Sequence, residues 1–179
     1  MPGSDRSDRY TTTAIVLHWL IALAVVAQIA FGWWMVQIPK EPVGQRVNAF
    51  NLHKSIGLTV LLLMTIRLAW RATHQAPALP PMPAWQAKAA RINHGLLYVC
   101  LFVQPLSGYI GSAVSGYPVR YFGMLLPGWA PKSIPLKDLL SAVHLVSSWI
   151  LVAAITMHIA AALKHQFVDR HKLLQRMWP

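Results

Sequence analysis

Four long apolar runs constrain this chain more than any other feature of its sequence. Lipid satisfies no backbone N–H or C=O group, so a segment that crosses a hydrocarbon core of about 30 Å must be a helix of roughly 20 apolar residues. The sequence therefore predicts an all-α integral membrane protein, a four-helix bundle that forms one domain over residues 1–179, with no evident internal repeat. The predicted spans are Thr13–Val36, Phe50–Trp70, Ile92–Val114 and Leu139–Leu163.

The composition agrees with lipid as the main surroundings. Only 12% of the residues are charged, whereas soluble domains carry about 25%. A net charge of +11 would indicate nucleic acid in a soluble protein, but these charges lie between the apolar runs, where they set topology, and no nucleic-acid partner is expected. Cys100 is the only cysteine, which excludes an intramolecular disulfide and a four-thiolate metal site.

The distribution of lysine and arginine predicts the orientation of the bundle. Ten of these residues fall on the side of both termini: Arg6, Arg9, Arg67, Arg71, Lys88, Arg91, Lys164, Arg170, Lys172 and Arg176. Six fall on the other side: Lys40, Arg46, Lys54, Arg120, Lys132 and Lys137. The positive-inside rule therefore predicts that both termini are cytoplasmic. The polar segment Met1–Tyr10 is followed by no small-residue cleavage site, so the first span is expected to remain in the mature protein.

Five histidines fall within the predicted spans: His18, His53, His94, His144 and His158. An ionisable group in a bilayer must find a partner in the bundle and is a functional candidate by default. For any one of them, a hydrogen bond between helices is an equally good explanation. Five together favour a shared purpose, because helices in membranes are normally joined by Ser, Thr or Asn.

The depth of these histidines predicts two layers. Helix one runs outward and helix two inward, so His18 lies near the inner face and His53 near the outer face. His144 and His158 are fourteen residues apart, which is about 21 Å of rise and close to an integral number of helical turns. The outer layer then holds His53 and His144, and the inner layer holds His18, His94 and His158. Each layer has enough imidazoles to ligate one metal centre.

Haem is the centre that best fits such layers. Neutral imidazole binds zinc, copper or iron, but no carboxylate or accessible thiolate accompanies these histidines within the spans. Two facing histidines suit a low-spin haem, since the macrocycle supplies the equatorial nitrogens. The chain has no Cys-x-x-Cys-His motif, so attachment would be non-covalent. Four glycines near the histidines would let a flat ring approach, although tight helix packing explains them equally well: Gly57, Gly95, Gly108 and Gly111.

Two further residues are candidates for roles beside a haem. Arg67 follows His53 by fourteen residues, on the same helix face, and is placed to pair with a haem propionate. Snorkelling of a long cation to the interface is the alternative. His165 follows His158 by two turns and lies beyond the lipid core. It is either a proton-handling group or an ordinary interfacial histidine.

These motifs match a known family over essentially the whole chain. They are Leu17-His18-Trp19-Leu20, His53-x-x-x-Gly57 with Arg67, Asn93-His94-Gly95, and the widely spaced pair His144 and His158. The chain resembles the bacterial cytochrome b561 family, whose members lie in the inner membrane. The resemblance implies two haem b groups, the inner one ligated by His18 and His158 and the outer one by His53 and His144. It also implies that His94 and His165 are unligated and lie near a ubiquinone site.

The resemblance further implies an oxidoreductase that oxidises superoxide at the outer face and reduces ubiquinone in the membrane. The outer loops carry six positive charges against Glu41 and Asp138, which would attract a small anion, and Lys54 beside His53 is the cation singled out as catalytic. Alternatively, these charges merely keep the loops soluble. The segment Gly116–Trp129 is expected to form an apolar lid over the outer haem.

Two other functions compete with superoxide oxidation. One is a relay that takes electrons from quinol to a periplasmic redox protein. The other is a transporter or structural bundle without haem, in which the histidines would relay protons. The lack of acidic residues within the spans counts against the latter.

Overall fold

The chain forms four long helices in the computed structural model, which describes residues 9–78, 80–170 and 173–178. The helices are α1 (Thr12–Met35), α2 (Val43–Thr73), α3 (Ala84–Ala113) and α4 (Ile134–Leu163). All four are long and apolar enough to cross a membrane. The prediction of an all-α four-helix membrane protein is confirmed. Arg6 and Lys172, which entered the charge count, and most of Met1–Tyr10 lie outside the described residues.

Three of the helices begin earlier than their apolar runs. α2 begins at Val43 rather than Phe50, α3 at Ala84 rather than Ile92, and α4 at Ile134 rather than Leu139. Apolar length measures only what the lipid core requires, whereas a helix continues until a residue stops it. Pro42 and Pro83 stand immediately before α2 and α3 and end the preceding loops.

Neighbouring helices pack in chain order, α1 on α2, α2 on α3 and α3 on α4. A buried apolar cluster joins all four helices, with members Ile21, Val25, Val60, Met64, Cys100 and Leu151. Many large apolar side chains of the helices are exposed on the surface of the bundle, including Leu23, Leu62, Val99 and Leu145. In water such a surface would drive aggregation, so lipid is the solvent that this surface fits.

The described residues nearest the two termini lie at one end of the bundle, which we call the terminal end. The Tyr10 N–H donates to the Arg176 carbonyl oxygen at 3.2 Å, and the Trp19 indole N–H donates to the Met177 carbonyl oxygen at 2.7 Å. The Arg176 guanidinium reaches the connection between α2 and α3 by donating to the Ala78 carbonyl oxygen at 2.8 Å. A π-helical turn (Lys164–Val168) and a 3-10 turn (Leu173–Arg176) lead the chain back across this end.

The opposite end, which we call the hairpin end, carries a short β-hairpin that the all-α prediction did not include. Strand β1 (Arg120–Tyr121) pairs antiparallel with β2 (Met124–Leu125). Phe122 and Gly123 form the turn with φ of 46° and 88°, and positive φ at both central residues is the geometry that matches the twist of two strands. Two-residue strands leave no period in the sequence from which they could be recognised.

Candidate functional site

The hairpin end brings together one histidine from α2 and one from α4. The ring centroids of His53 and His144 are 6.3 Å apart, and the ring planes cross at 76°. Both imidazoles are half-buried. The two histidines predicted for the outer layer, His53 and His144, thus lie close together at this end.

The terminal end brings together three histidines from three helices. The ring centroid of His158 on α4 lies 6.3 Å from that of His18 on α1 and 5.2 Å from that of His94 on α3. Arg67 lies at the same end, where its guanidinium donates to the Ala14 carbonyl oxygen at 3.0 Å. These four side chains make up the predicted inner layer and its neighbouring cation.

The spacing of the imidazoles fits a single metal between each cross-bundle pair. Two imidazoles on one metal place their centroids about 6 Å apart, because a metal–nitrogen bond is about 2.0 Å and a ring nitrogen lies roughly 1.1 Å from its centroid. His53–His144 and His18–His158 both have 6.3 Å, whereas His94–His158 is shorter at 5.2 Å. In the described part of the chain, no group of three or more His, Cys, Asp or Glu side chains is placed to hold a metal ion. Pairs suit a haem, which brings its own equatorial nitrogens.

Two glycines keep the histidines of the hairpin end uncrowded. A Cβ built at Gly108 would lie 3.2 Å from His144 Cε1, and one built at Gly32 would lie 3.4 Å from His53 Cε1. Of the glycines that the sequence singled out, Gly95 faces open space beside His94, while Gly111 is in packing contact with Leu140. Packing therefore accounts for Gly111, whereas the space beside Gly95 is open.

His144 is held by hydrogen bonds that leave one ring nitrogen for a metal. Its Nδ1 lies 2.9 Å from the Gln104 carbonyl oxygen and 3.2 Å from Ser107 Oγ. A carbonyl oxygen only accepts, so Nδ1 carries the proton and Nε2 presents a lone pair, the arrangement expected of a metal ligand. The Gln104 amide also donates to the His144 carbonyl oxygen at 2.7 Å and to Ser147 Oγ at 2.8 Å.

A second glutamine holds α2 in the same way. The Gln28 amide on α1 donates to the His53 carbonyl oxygen at 2.8 Å. Gln28 and Gln104 therefore fix the backbone at the two histidines of the hairpin end. Neither glutamine stands out in the sequence, because an amide within an apolar span also joins helices as an ordinary hydrogen-bonding group.

These contacts point to a short internal repeat of residue spacing that was not evident from the sequence alone. Histidine, glutamine and glycine recur at the same spacing in α1 and α3, as His18, Gln28, Gly32 and His94, Gln104, Gly108. On α2 and α4, the residue fourteen positions after the hairpin-end histidine is Arg67 in the first copy and His158 in the second. The spacing was the signal that could have found the repeat, but three residues per helix are too few to stand out without the contacts.

His165 lies in the π-helical turn after α4 rather than on a continuous α-helical face. It is buried, and its Nδ1 donates to Asp169 Oδ2 at 2.7 Å, while Lys164 Nζ donates to the same oxygen at 2.6 Å. The hydrogen bond from Lys164, and to a smaller extent the one from His165, holds the pKa of Asp169 below its ordinary value of 3.8. The contacts of Lys164 and His165 with Asp169 thus hold this turn together just outside the apolar part of α4.

Replacing Asp169 by Asn is expected to lower the melting temperature at neutral pH and to remove part of its acid dependence. A carboxylate whose pKa is depressed on folding stabilises the fold above its ordinary pKa, and this contribution is lost as pH falls through the folded pKa. The wild-type and Asp169→Asn proteins should therefore differ at pH 7, and the difference should begin to shrink below about pH 3.8 and vanish below the lower folded pKa. Thermal unfolding in detergent across this range measures the difference, and a pH-independent difference would contradict the role of this ion cluster.

The β-hairpin rests on α2 directly after His53. The Phe122 N–H donates to Ser55 Oγ at 2.8 Å, and Thr59 Oγ1 and the Tyr121 hydroxyl are 3.2 Å apart. The expected lid segment therefore contacts α2 through Tyr121 and α3 through Trp129, whose indole N–H donates to the Tyr109 hydroxyl at 3.0 Å. The side chains of Tyr117, Phe122 and Trp129 are exposed.

The cations at the hairpin end differ in their surroundings. Arg46 donates to the carbonyl oxygens of Val36 and Ile38, Arg120 donates to that of Gly123, and Lys137 pairs with Asp138. Lys54 is half-buried beside His53 and has no hydrogen-bond or ion-pair partner among the described residues. Its charge is therefore less compensated by neighbours than that of Lys137.

Comparisons with known proteins identify the family of the chain. Cytochrome b561 homolog 2 of Escherichia coli (strain K12) is 34% identical over 99% of this chain and 95% of its own length. Cytochrome b561 homolog 1 of the same organism is 30% identical, with 96% and 98% covered. The probable superoxide oxidase CybB of Yersinia pestis is 26% identical, with 96% of each chain covered. The family model described as prokaryotic cytochrome b561 matches residues 9–179, and the chain belongs to this family of haem-containing membrane electron-transfer proteins.

Proposed function

We propose that this protein binds two haem b groups and carries electrons from superoxide, at the hairpin end, to ubiquinone near the terminal end. His53 and His144 would ligate the haem of the hairpin end, and His18 and His158 that of the terminal end. The proposal places the terminal end at the cytoplasmic face of the bacterial inner membrane, as the lysine and arginine distribution predicts.

The observation that carries the proposal is the equal spacing of two histidine pairs at opposite ends of one bundle. Each pair has ring centroids 6.3 Å apart. The partners come from α2 and α4 at one end and from α1 and α4 at the other, and neither of these helix pairs is among those that pack closely. A flat cofactor fits between helices that are held apart, whereas a mere hydrogen-bonding histidine is expected where helices touch.

The protein's own contribution is positioning, insulation and electrostatics. Haem iron supplies the one-electron redox chemistry when it is bound. The Gln104 carbonyl oxygen orients the His144 ring, the Gln28 and Gln104 amides fix the two hairpin-end histidines along their helices, and the apolar cluster between the two ends excludes water.

Two observations favour superoxide as the electron donor. One is the positive charge of the hairpin end, and the other is the name of one relative. Six lysine and arginine residues stand against Glu41 and Asp138 on this side of the chain. Such a field concentrates a small anion. Lys54, next to His53, carries the charge nearest in sequence to a proposed ligand. The relative from Yersinia pestis is named as a probable superoxide oxidase, and the proposal extends that activity to this chain.

Ubiquinone reduction is assigned to the terminal end on the basis of His94, His165 and Arg67. His94 lies close to His158 without the spacing of a ligand pair. His165 is buried and hydrogen-bonded to Asp169, so it is placed to deliver a proton from the aqueous boundary. Arg67 lies at the same end, where a guanidinium suits a haem propionate or a quinone oxygen.

A relay from quinol to a periplasmic redox protein is the second candidate. It is favoured by the exposed apolar surface of the β-hairpin, where Phe122, Met124 and Leu125 are 60%, 65% and 58% exposed. Apolar residues of this kind can form the centre of a protein interface.

A rapid-mixing experiment separates the two functions. The purified protein is mixed with superoxide, with and without a soluble ubiquinone, while haem absorbance is followed. Superoxide oxidation predicts fast haem reduction by superoxide and reoxidation by the quinone, with reoxidation slowed in His165→Leu. Haems that ignore superoxide but are reduced by quinol would reject superoxide as the donor and favour the relay.

A further inference from the structure

The two copies of the internal repeat differ at one position beside the histidines of the hairpin end. Phe31 follows His18 by thirteen residues, and Ser107 follows His94 by the same number. Phe31 stacks on His53, with centroids 6.3 Å apart and planes inclined by 23°. Ser107 Oγ lies 3.2 Å from His144 Nδ1. Equivalent positions thus present an aromatic ring to one histidine and a hydroxyl group to the other.

The hydrogen bonding of the two imidazoles differs accordingly. His144 Nδ1 faces two oxygens, the Gln104 carbonyl at 2.9 Å and Ser107 Oγ. His53 Nδ1 is buried and has no hydrogen-bond partner among the described residues. Gln28 is the counterpart of Gln104, and its side-chain amide donates to the His53 carbonyl oxygen. Unlike that of Gln104, however, the Gln28 backbone carbonyl oxygen makes no hydrogen bond with the histidine Nδ1. One histidine is held through both its backbone and its ring, and the other through its backbone and a stacked ring.

We propose that Phe31 and Ser107 make the two axial ligands of the hairpin-end haem chemically unequal, and that Phe31 thereby raises the reduction potential of this haem. This inference rests on the proposed haem ligation. A hydrogen bond from Nδ1 makes an imidazole a more basic ligand, which stabilises the ferric state and lowers the potential. Phe31 occupies the place from which Ser107 reaches His144, so it withholds this effect from His53. Both residues act through a histidine and are positioning residues.

The inequality has a consequence for the direction of electron transfer. A haem with one ligand lacking the hydrogen bond accepts an electron more readily than one with two hydrogen-bonded ligands. The histidine, glutamine and glycine positions are the same in both copies. The inequality therefore arises from their surroundings, in which Phe31 replaces Ser107 and Gln28 lacks the ring contact that the Gln104 carbonyl oxygen makes. These differences between the copies thus favour electron uptake at the hairpin end.

Redox titration of the complete, haem-loaded protein tests the inference without an activity assay. In Phe31→Ser, a hydroxyl group near His53 Nδ1 is expected to lower the midpoint potential of one haem and to leave the other unchanged. A tenfold change in the reduction equilibrium, which is about 59 mV for one electron, is the scale expected. Phe31→Leu is the matched control, because it removes the aromatic ring without adding an acceptor, and its potential should stay near that of the wild type.

Ser107→Ala provides the opposite test on the other copy of the repeat. It should raise the potential of the same haem, by less than Phe31→Ser lowers it, because the Gln104 carbonyl oxygen remains. Equal potentials in Phe31→Ser and Phe31→Leu would overturn the inference, as would a Ser107→Ala potential that is unchanged or lower. A wild-type protein without haem would refute the proposed function itself, whereas two haems with unshifted potentials would refute only this inference.

Discussion

His144→Leu is expected to reduce the haem content of the purified protein from two per chain to one. Leucine keeps most of the apolar volume of the side chain but offers no lone pair, so the hairpin-end haem would lose one of its two axial ligands. His18 and His158, the proposed ligands of the other haem, lie at the opposite end of the bundle, about 21 Å away by the rise of α4. Haem quantitation and the reduced-minus-oxidised spectrum measure the loss.

The matched control for this variant is His74→Leu. His74 is an exposed histidine at the end of α2, stacked on Trp70 with centroids 3.8 Å apart, and it belongs to neither histidine pair. The His74→Leu protein should retain both haems. Two haems in His144→Leu, with an unchanged spectrum, would contradict the proposed ligation at the hairpin end.

Lys54→Gln should slow the reduction of the protein by superoxide about tenfold at low ionic strength, the lower end of the range by which charge steers small ions to a site. The lysine is half-buried beside His53 and is not neutralised by a described neighbour. Its removal should also flatten the dependence of the rate on salt, because there is less attraction left to screen. Stopped-flow mixing at several salt concentrations gives both quantities.

Lys137→Gln is the control for this variant. Its ammonium group lies 2.8 Å from Asp138 and is exposed, so its removal should change the rate much less. The haem content should match that of the wild type in both proteins. If the two variants react equally fast and show the same salt dependence as the wild type, Lys54 has no part in attracting the substrate.

The fold could be predicted largely because lipid imposes a simple rule. Apolar runs of sufficient length must be helices, and the four runs gave four helices. The early start of α3 at Ala84 could not be predicted in this way, because its first turns include Gln86, Lys88 and Arg91 and leave the apolar pattern. The β-hairpin was missed for a different reason, since its turn depends on the backbone of Phe122 and Gly123 rather than on any periodic pattern.

The grouping of the histidines was also accessible from the sequence, because helix rise and direction determine depth. Spacing could not choose among His18, His94 and His158, since depth says nothing about distance across the bundle. The structure separates them by their contacts, with 6.3 Å for one pair and 5.2 Å for the other.

The residues that orient the histidines were beyond the reach of the sequence. Gln28, Gln104 and Ser107 look like ordinary polar residues within apolar spans. Their role depends on which group they reach, a histidine backbone carbonyl for the glutamines and a histidine ring nitrogen for the serine. The π-helical turn at His165 likewise arises where the chain leaves the lipid core and gains Lys164 and Asp169 as partners.

Haem quantitation of the wild-type protein, purified in mild detergent, tests the central claim most directly. The pairs His53–His144 and His18–His158 predict two b-type haems per chain, with the spectrum of low-spin iron bound by two imidazoles. A protein that binds one haem at most, or haem that is high-spin and lacks a second imidazole, would contradict it.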